Sequence, residues 1–120
     1  MDSDNDKYLK ILKLELNNLI DDVSALIDYE KTLHENQQHS NYVYLENLVV
    51  LKDEIMGFQG ILHELDNTFF QFDKSNITEE LTMFIKSYVN KHGYPMAIYE
   101  LIKRKIDKIE EIKGILWFFS

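Results

Sequence analysis

The chain has 120 residues, 45 % of them hydrophobic, which is enough for one domain with one ordinary core. Four Gly, one Pro and no Cys exclude a turn-rich sandwich or barrel, a disulfide framework and any thiolate chemistry. A formal net charge of −8 excludes general nucleic-acid binding by phosphate neutralisation.

The 13 Ile and seven Phe are too many for a chain that stays solvated, so disorder is not expected. The acidic start, Met1 to Asp6, lacks the basic and then apolar run of a secretory signal. No stretch is apolar enough to span a membrane. Together with the lack of Cys, these features give a cytoplasmic location as the expectation. Charge is divided unevenly: residues 1–73 hold 15 acids and five bases, residues 74–120 six acids and eight bases. The two parts should attract one another, or the acidic part should face a basic partner.

The first element shows a heptad. Leu9, Leu12, Leu16, Leu19, Val23, Leu26 and Leu33 alternate spacings of three and four, with Glu30 in the one gap. This predicts a helix over about residues 5–34, with Glu30 snorkelling to water or pairing with Lys52. The polar run from Glu35 to Asn41 predicts a loop. In the second element Tyr44, Leu48, Leu51, Ile55, Phe58, Leu62, Leu65, Phe69 and Phe72 continue the same rhythm over about residues 42–72. Val49, Val50, Met56 and Ile61 lie off this seam and widen the apolar face. Gly57 and Gly60 interrupt the helix, and the expected reason is the close approach of a neighbouring helix or a mild kink.

Asn76 and Glu79 have capping-box spacing and open a third helix whose stripe is Leu81, Phe84, Ile85, Tyr88 and Val89. Gly93 is placed to end it and Pro95 to start a fourth. That last helix carries Ile98, Ile102, Ile106, Ile109, Ile112 and Leu116. The expected fold is all-α: a single domain over 1–120, built as a bundle of two antiparallel hairpins. The long, coiled-coil-like hairpin spans 5–72 and the short one 76–119.

Chemistry-bearing residues are few. His34 and His39 are five apart, about 140° round a helix, so they lack zinc-protease geometry, and no metal or cofactor is expected. His63-Glu64-Leu65-Asp66-Asn67 resembles the phosphoaccepting box of histidine kinases and, more loosely, histidine phosphotransfer domains. That resemblance implies a helical His63 as phosphoacceptor, with Glu64 managing its proton. Asp66 stands where the kinase box has a basic residue, and the proline of that box is missing. The two long heptad helices and the acidic balance resemble flagellar and type III export chaperones, which implies a role in holding a protein partner. At the C-terminus Trp117, Phe118 and Phe119 cannot all share one helical face, so they either close the core or anchor a partner.

The function expected is therefore a non-enzymatic protein-interaction module: an adaptor, chaperone, inhibitor or assembly subunit. Its contact residues are Trp117, Phe118, Phe119, Ile61 and Met56. The alternatives are phosphotransfer through His63 and Glu64, or a small acidic inhibitor that mimics nucleic acid, of phage or immunity type. A second copy of the chain is expected to cover the flank that the shorter helices leave bare, giving a homodimer.

Overall fold

The computed structural model describes residues 4–118, excepting the side chains of Asp4, Lys74 and residues 113–118. Four helices account for it, with no strand among the described residues: α1 (Asp4–Glu35), α2 (Asn41–Thr68), α3 (Ile77–His92) and α4 (Met96–Phe118). α1 packs against α2 and α3 against α4, so the two expected hairpins are present, and α4 also lies along α1.

The joints form for local reasons. α1 ends in a Schellman motif, with Gln38 N donating to Leu33 O and Gln37 N to His34 O. Gln37 takes the left-handed position of that motif at φ 61°. A side chain with a Cβ is strained there, so Gln37→Gly should raise stability by about 0.5–1 kcal/mol in urea unfolding. Ser40 then caps α2, its hydroxyl accepting from Val43 N at 3.2 Å. Gly93 ends α3 in the same way at φ 69°, with Tyr94 N donating to Val89 O.

Two boundaries differ from the sequence expectation. α2 stops at Thr68 rather than continuing to 72, and a 3₁₀ turn over Phe69–Gln71 follows. The turn seats Phe69 in the core and brings Phe72 beside Phe69 and Phe84, with ring centroids 5.8 and 5.7 Å away. The capping box is also absent. Asn76 sits at φ −128°, ψ 36° and makes no side-chain cap, because a second 3₁₀ turn, Lys74–Asn76, precedes α3. Asp73 caps that turn instead, its carboxylate accepting from both the amide and the hydroxyl of Ser75.

Packing explains the remaining departures. The buried residues of α1 run only from Tyr8 to Val23, and those of α2 only from Gly57 to Leu65. α3 contributes Ile77, Leu81, Ile85 and Val89, and α4 Ile98, Ile102, Ile106 and Ile109. Leu26, expected on the buried seam, is half exposed, because it lies beyond Val23, the last buried residue of α1. Ile61, expected off the seam and on a partner surface, is fully buried, while seam residue Leu62 is only half buried. The reason is that the second half of α2 is covered on two sides. α1 lies on one, and α3 and α4 lie against Gly57 and Gly60 on the other. A Cβ at Gly57 would stand 2.5 Å from Ile98 Cδ1, and one at Gly60 would collide with the Tyr88 hydroxyl. Of the two reasons the sequence offered for these glycines, close approach is the one the packing shows.

The molecule is consequently elongated, at 53 × 32 × 21 Å. Its radius of gyration is 16.8 Å, against about 13–14 Å for a compact chain of this length. The outer halves of α1 and α2 project beyond α3 and α4 as a two-helix arm.

One ion-pair group ties the acidic N-terminal part to the basic C-terminal part. Glu15 of α1 receives Lys105 Nζ at 3.0 Å and Lys108 Nζ at 3.7 Å, both from α4. The Lys105 hydrogen bond, followed by the charges of both lysines, holds the Glu15 carboxyl below its ordinary value near 4.5. A carboxyl depressed on folding stabilises the fold above the unfolded value, and that contribution is lost as pH falls through the folded one. Stability should therefore decline from about pH 4.5 downward, and Glu15→Gln should flatten that limb of a Tm-against-pH curve. A Glu15/Lys105 double-mutant cycle at pH 7 should give a coupling of about 0.5–1 kcal/mol.

Candidate interaction surface

The arm carries a polar clasp at its tip. Glu30, in the gap of the α1 heptad, accepts from Asn47 Nδ2 at 3.0 Å, and its other carboxylate oxygen lies 2.9 Å from His39 Nδ1. This replaces both outcomes expected from the sequence, snorkelling to water or pairing with Lys52, because the loop turns His39 back over α1. The His34 ring stacks on Tyr44 at 4.3 Å and its Nε2 meets Asn41 Oδ1. His34 and His39 thus serve separate contacts. Among the described residues, no group of three His, Asp or Glu is placed to hold a metal ion. Beneath the clasp, Leu33, Leu48, Leu51 and Ile55 are half buried between the two helices.

Among the described residues, nothing covers the opposite side of α2 in the arm. Tyr42, Leu45 and Val49 are 74 %, 57 % and 60 % exposed, and Val50 and Met56 are also largely open to solvent. Tyr42, Leu45, Val49 and Met56 follow spacings of three, four and seven, which makes one stripe of a helix. Glu46 interrupts it, lining a shallow apolar recess with Tyr42, Leu45, Val49 and Val50. Asp53 lies seven residues beyond Glu46, on the same helical line. One turn after Val50, Glu54 is half buried, and burial alone pushes its carboxyl up. On α1 the arm also exposes Leu26 and Tyr29.

This bare face is continuous with a covered one. Positions 42, 46, 49, 53, 57, 60 and 64 follow one line along α2. From Gly57 onward that line lies under Ile98, Tyr94 and Tyr88; before Gly57, Tyr42, Glu46 and Val49 are exposed and Asp53 is half buried. The bare part is about 22 Å long at 1.5 Å per residue.

The sequence-selected residues fall in different places. Met56 is exposed on the arm stripe, whereas Ile61 belongs to the core. The side chains of Trp117 and Phe118, and all of Phe119, lie outside the described residues. His63 is exposed on α2, while Glu64 turns to the other side and lines a recess with Tyr88, Lys91 and His92 of α3. No hydrogen bond joins His63 to Glu64 among the described residues, so the two are not brought together as an acceptor and its base. Near Glu64, Tyr88 stacks on His92 at 4.1 Å and its hydroxyl is pushed up, first by burial and then by the charges of Tyr94 and Glu64.

Sequence reasoning passed over Tyr42 and Leu45. Their signal was a second apolar period on α2, opposite the seam. Val49, Val50 and Met56 carry part of that signal, and of these the sequence reading places only Met56 on a partner surface. Compared with protein-family models, curated proteins and solved structures, the chain matches none of them.

Proposed function

We propose that the protein is a non-enzymatic interaction module that receives a protein partner along the bare face of α2 in the projecting arm. One observation carries this reading: Tyr42, Leu45, Val49 and Met56 form an exposed apolar stripe on a helix whose same face is covered further along. Contiguous exposed apolar surface on a rigid element is characteristic of an interface. The clasp at Glu30 and the cap at Ser40 tie the loop to both helices, and a face ordered before binding lowers the cost of association.

The alternatives gain less support. Phosphotransfer would rest on an exposed His63 whose acidic neighbour is turned to α3. A nucleic-acid mimic should present carboxylates in rows, and here apolar side chains hold most of the face.

A photo-crosslinking amino acid tests the reading in the native cell. Placed at Val49 it should give a discrete protein adduct, and at exposed Ser87 on α3 it should give none. Equal labelling at both positions, or none at either, would remove the proposal.

A further inference from the structure

We propose that the occupant of this face is a cationic amphipathic helix of a partner protein, laid along α2 between Tyr42 and Met56. This rests on the reading of the arm as an interaction surface and names the chemistry of what binds there.

The shape argument comes from the interrupted third layer. α2 is covered from Gly57 onward by the turn that joins α3 to α4 and by the start of α4, with Ile98 and Tyr94 against the Gly57 backbone. The bare line before Gly57 is where a longer α4 would continue. A second helix packed there would extend helix-on-helix packing already present in the fold. Its apolar residues, at spacings of three and four, would meet Tyr42, Leu45 and Val49, the helix-in-groove mode of recognition.

The charge argument selects the sign. Residues 20–56 carry eight acids and two bases. Glu46 and Asp53 stand within the bare face itself, and neither has an ion-pair partner among the described residues. Glu54, half buried at the flank, has no cation beside it, and its carboxyl is raised by burial. Lysine or arginine flanking the apolar side of an incoming helix would relieve all three. A second copy of this chain would instead place one strongly acidic arm against another, and like charges in register oppose association. Anionic lipid would be repelled for the same reason.

The experiment uses the full chain and a fluorescein-labelled synthetic peptide of about 16 residues, the length that spans the bare face at 1.5 Å per residue. Leucine occupies one face of the peptide and lysine the other; a second peptide carries glutamate in place of lysine. Fluorescence anisotropy should show saturable binding of the lysine peptide only, weakening about tenfold or more between roughly 50 and 300 mM salt. Val49→Asp should weaken it at least about tenfold, a change worth about 1.4 kcal/mol. The pair Glu46→Lys and Asp53→Lys should do the same. The pair Glu79→Lys and Glu111→Lys makes an equal charge change at the far end of α3 and α4, and should alter affinity less than about twofold. Val49, Glu46, Glu79 and Glu111 are exposed and Asp53 is half buried without a hydrogen bond or ion pair among the described residues, so circular dichroism should show unchanged folding.

Equal loss in both charge-reversal pairs would mean diffuse attraction and would overturn the proposal, as would binding of the glutamate peptide. Dimerisation of the free chain that Val49→Asp abolishes would assign the face to a second copy and also overturn it. If neither peptide binds while the Val49 crosslink forms, the interaction reading stands and the cationic helix is wrong. If the crosslink fails too, both fall.

Discussion

Replacing Ile61 with Ala is expected to destabilise the protein by about 2–5 kcal/mol, and Leu62→Ala by less than about half as much. Ile61 is fully buried with Phe58 and Leu65, where α2 is flanked by α1 on one side and by α3 and α4 on the other. Truncating it removes buried methylene groups and leaves a cavity that four fixed helices cannot close. Leu62 sits at the edge of the same cluster with part of its surface in water, so its loss costs less transfer energy and leaves an opening that solvent can enter. In a domain of this size the Ile61 change should lower Tm by about 10–20 °C. The order of the two substitutions is the measurement that matters. A larger loss at Leu62 than at Ile61, by urea or thermal unfolding, would restore the uninterrupted heptad seam as the buried line and contradict the two-sided packing of α2.

Gly60→Ala is expected to cost about 1 kcal/mol, even though Ala is the better helix former by about that amount. A Cβ at Gly60 would collide with the Tyr88 hydroxyl and stand 3.1 Å from its Cζ. The Tyr88 ring cannot simply swing aside. It stacks on His92 at 4.1 Å, with Tyr94 at 6.3 Å and Phe84 at 6.2 Å between centroids. Removing the hydroxyl removes the worst contact. In a Tyr88→Phe background, Gly60→Ala should therefore become neutral or stabilising by up to about 1 kcal/mol, a coupling of about 1–2 kcal/mol between the two sites. Additive effects in the double-mutant cycle would show that Gly60 is not where α3 meets α2. The same crowding favours a larger loss for Gly60→Leu, about 1–3 kcal/mol by overpacking.

Much of the architecture follows from local chemistry that a sequence carries openly. The heptad in residues 9–23, the stripe Leu81, Ile85 and Val89, and the isoleucine series from Ile98 to Ile109 each state a helix and its buried side. These helices are amphipathic at a period the chain itself sets, and each presents one face to the core. Gly93 and the polar run before Asn41 mark helix ends because left-handed backbone and unburied polar groups have few other uses. From these, the all-α class and the two hairpins were legible.

What only the tertiary structure decided lies where one helix meets two neighbours, or none. The periodicity of α2 is consistent with one continuous seam from Tyr44 to Phe72, yet α3 and α4 cover a second side of its later half. That exchanges Leu62 for Ile61 as the fully buried residue and turns Gly57 and Gly60 into contact points. Before Gly57 the same helix has only α1 beside it among the described residues, so Val49, which the pattern adds to the buried face, stands in water together with Tyr42 and Leu45. Glu30 found His39 and Asn47 because a loop turned, and no spacing rule contains that turn. A sequence period reports how many faces of a helix are apolar; how many of those faces are covered depends on the lengths and positions of the other helices.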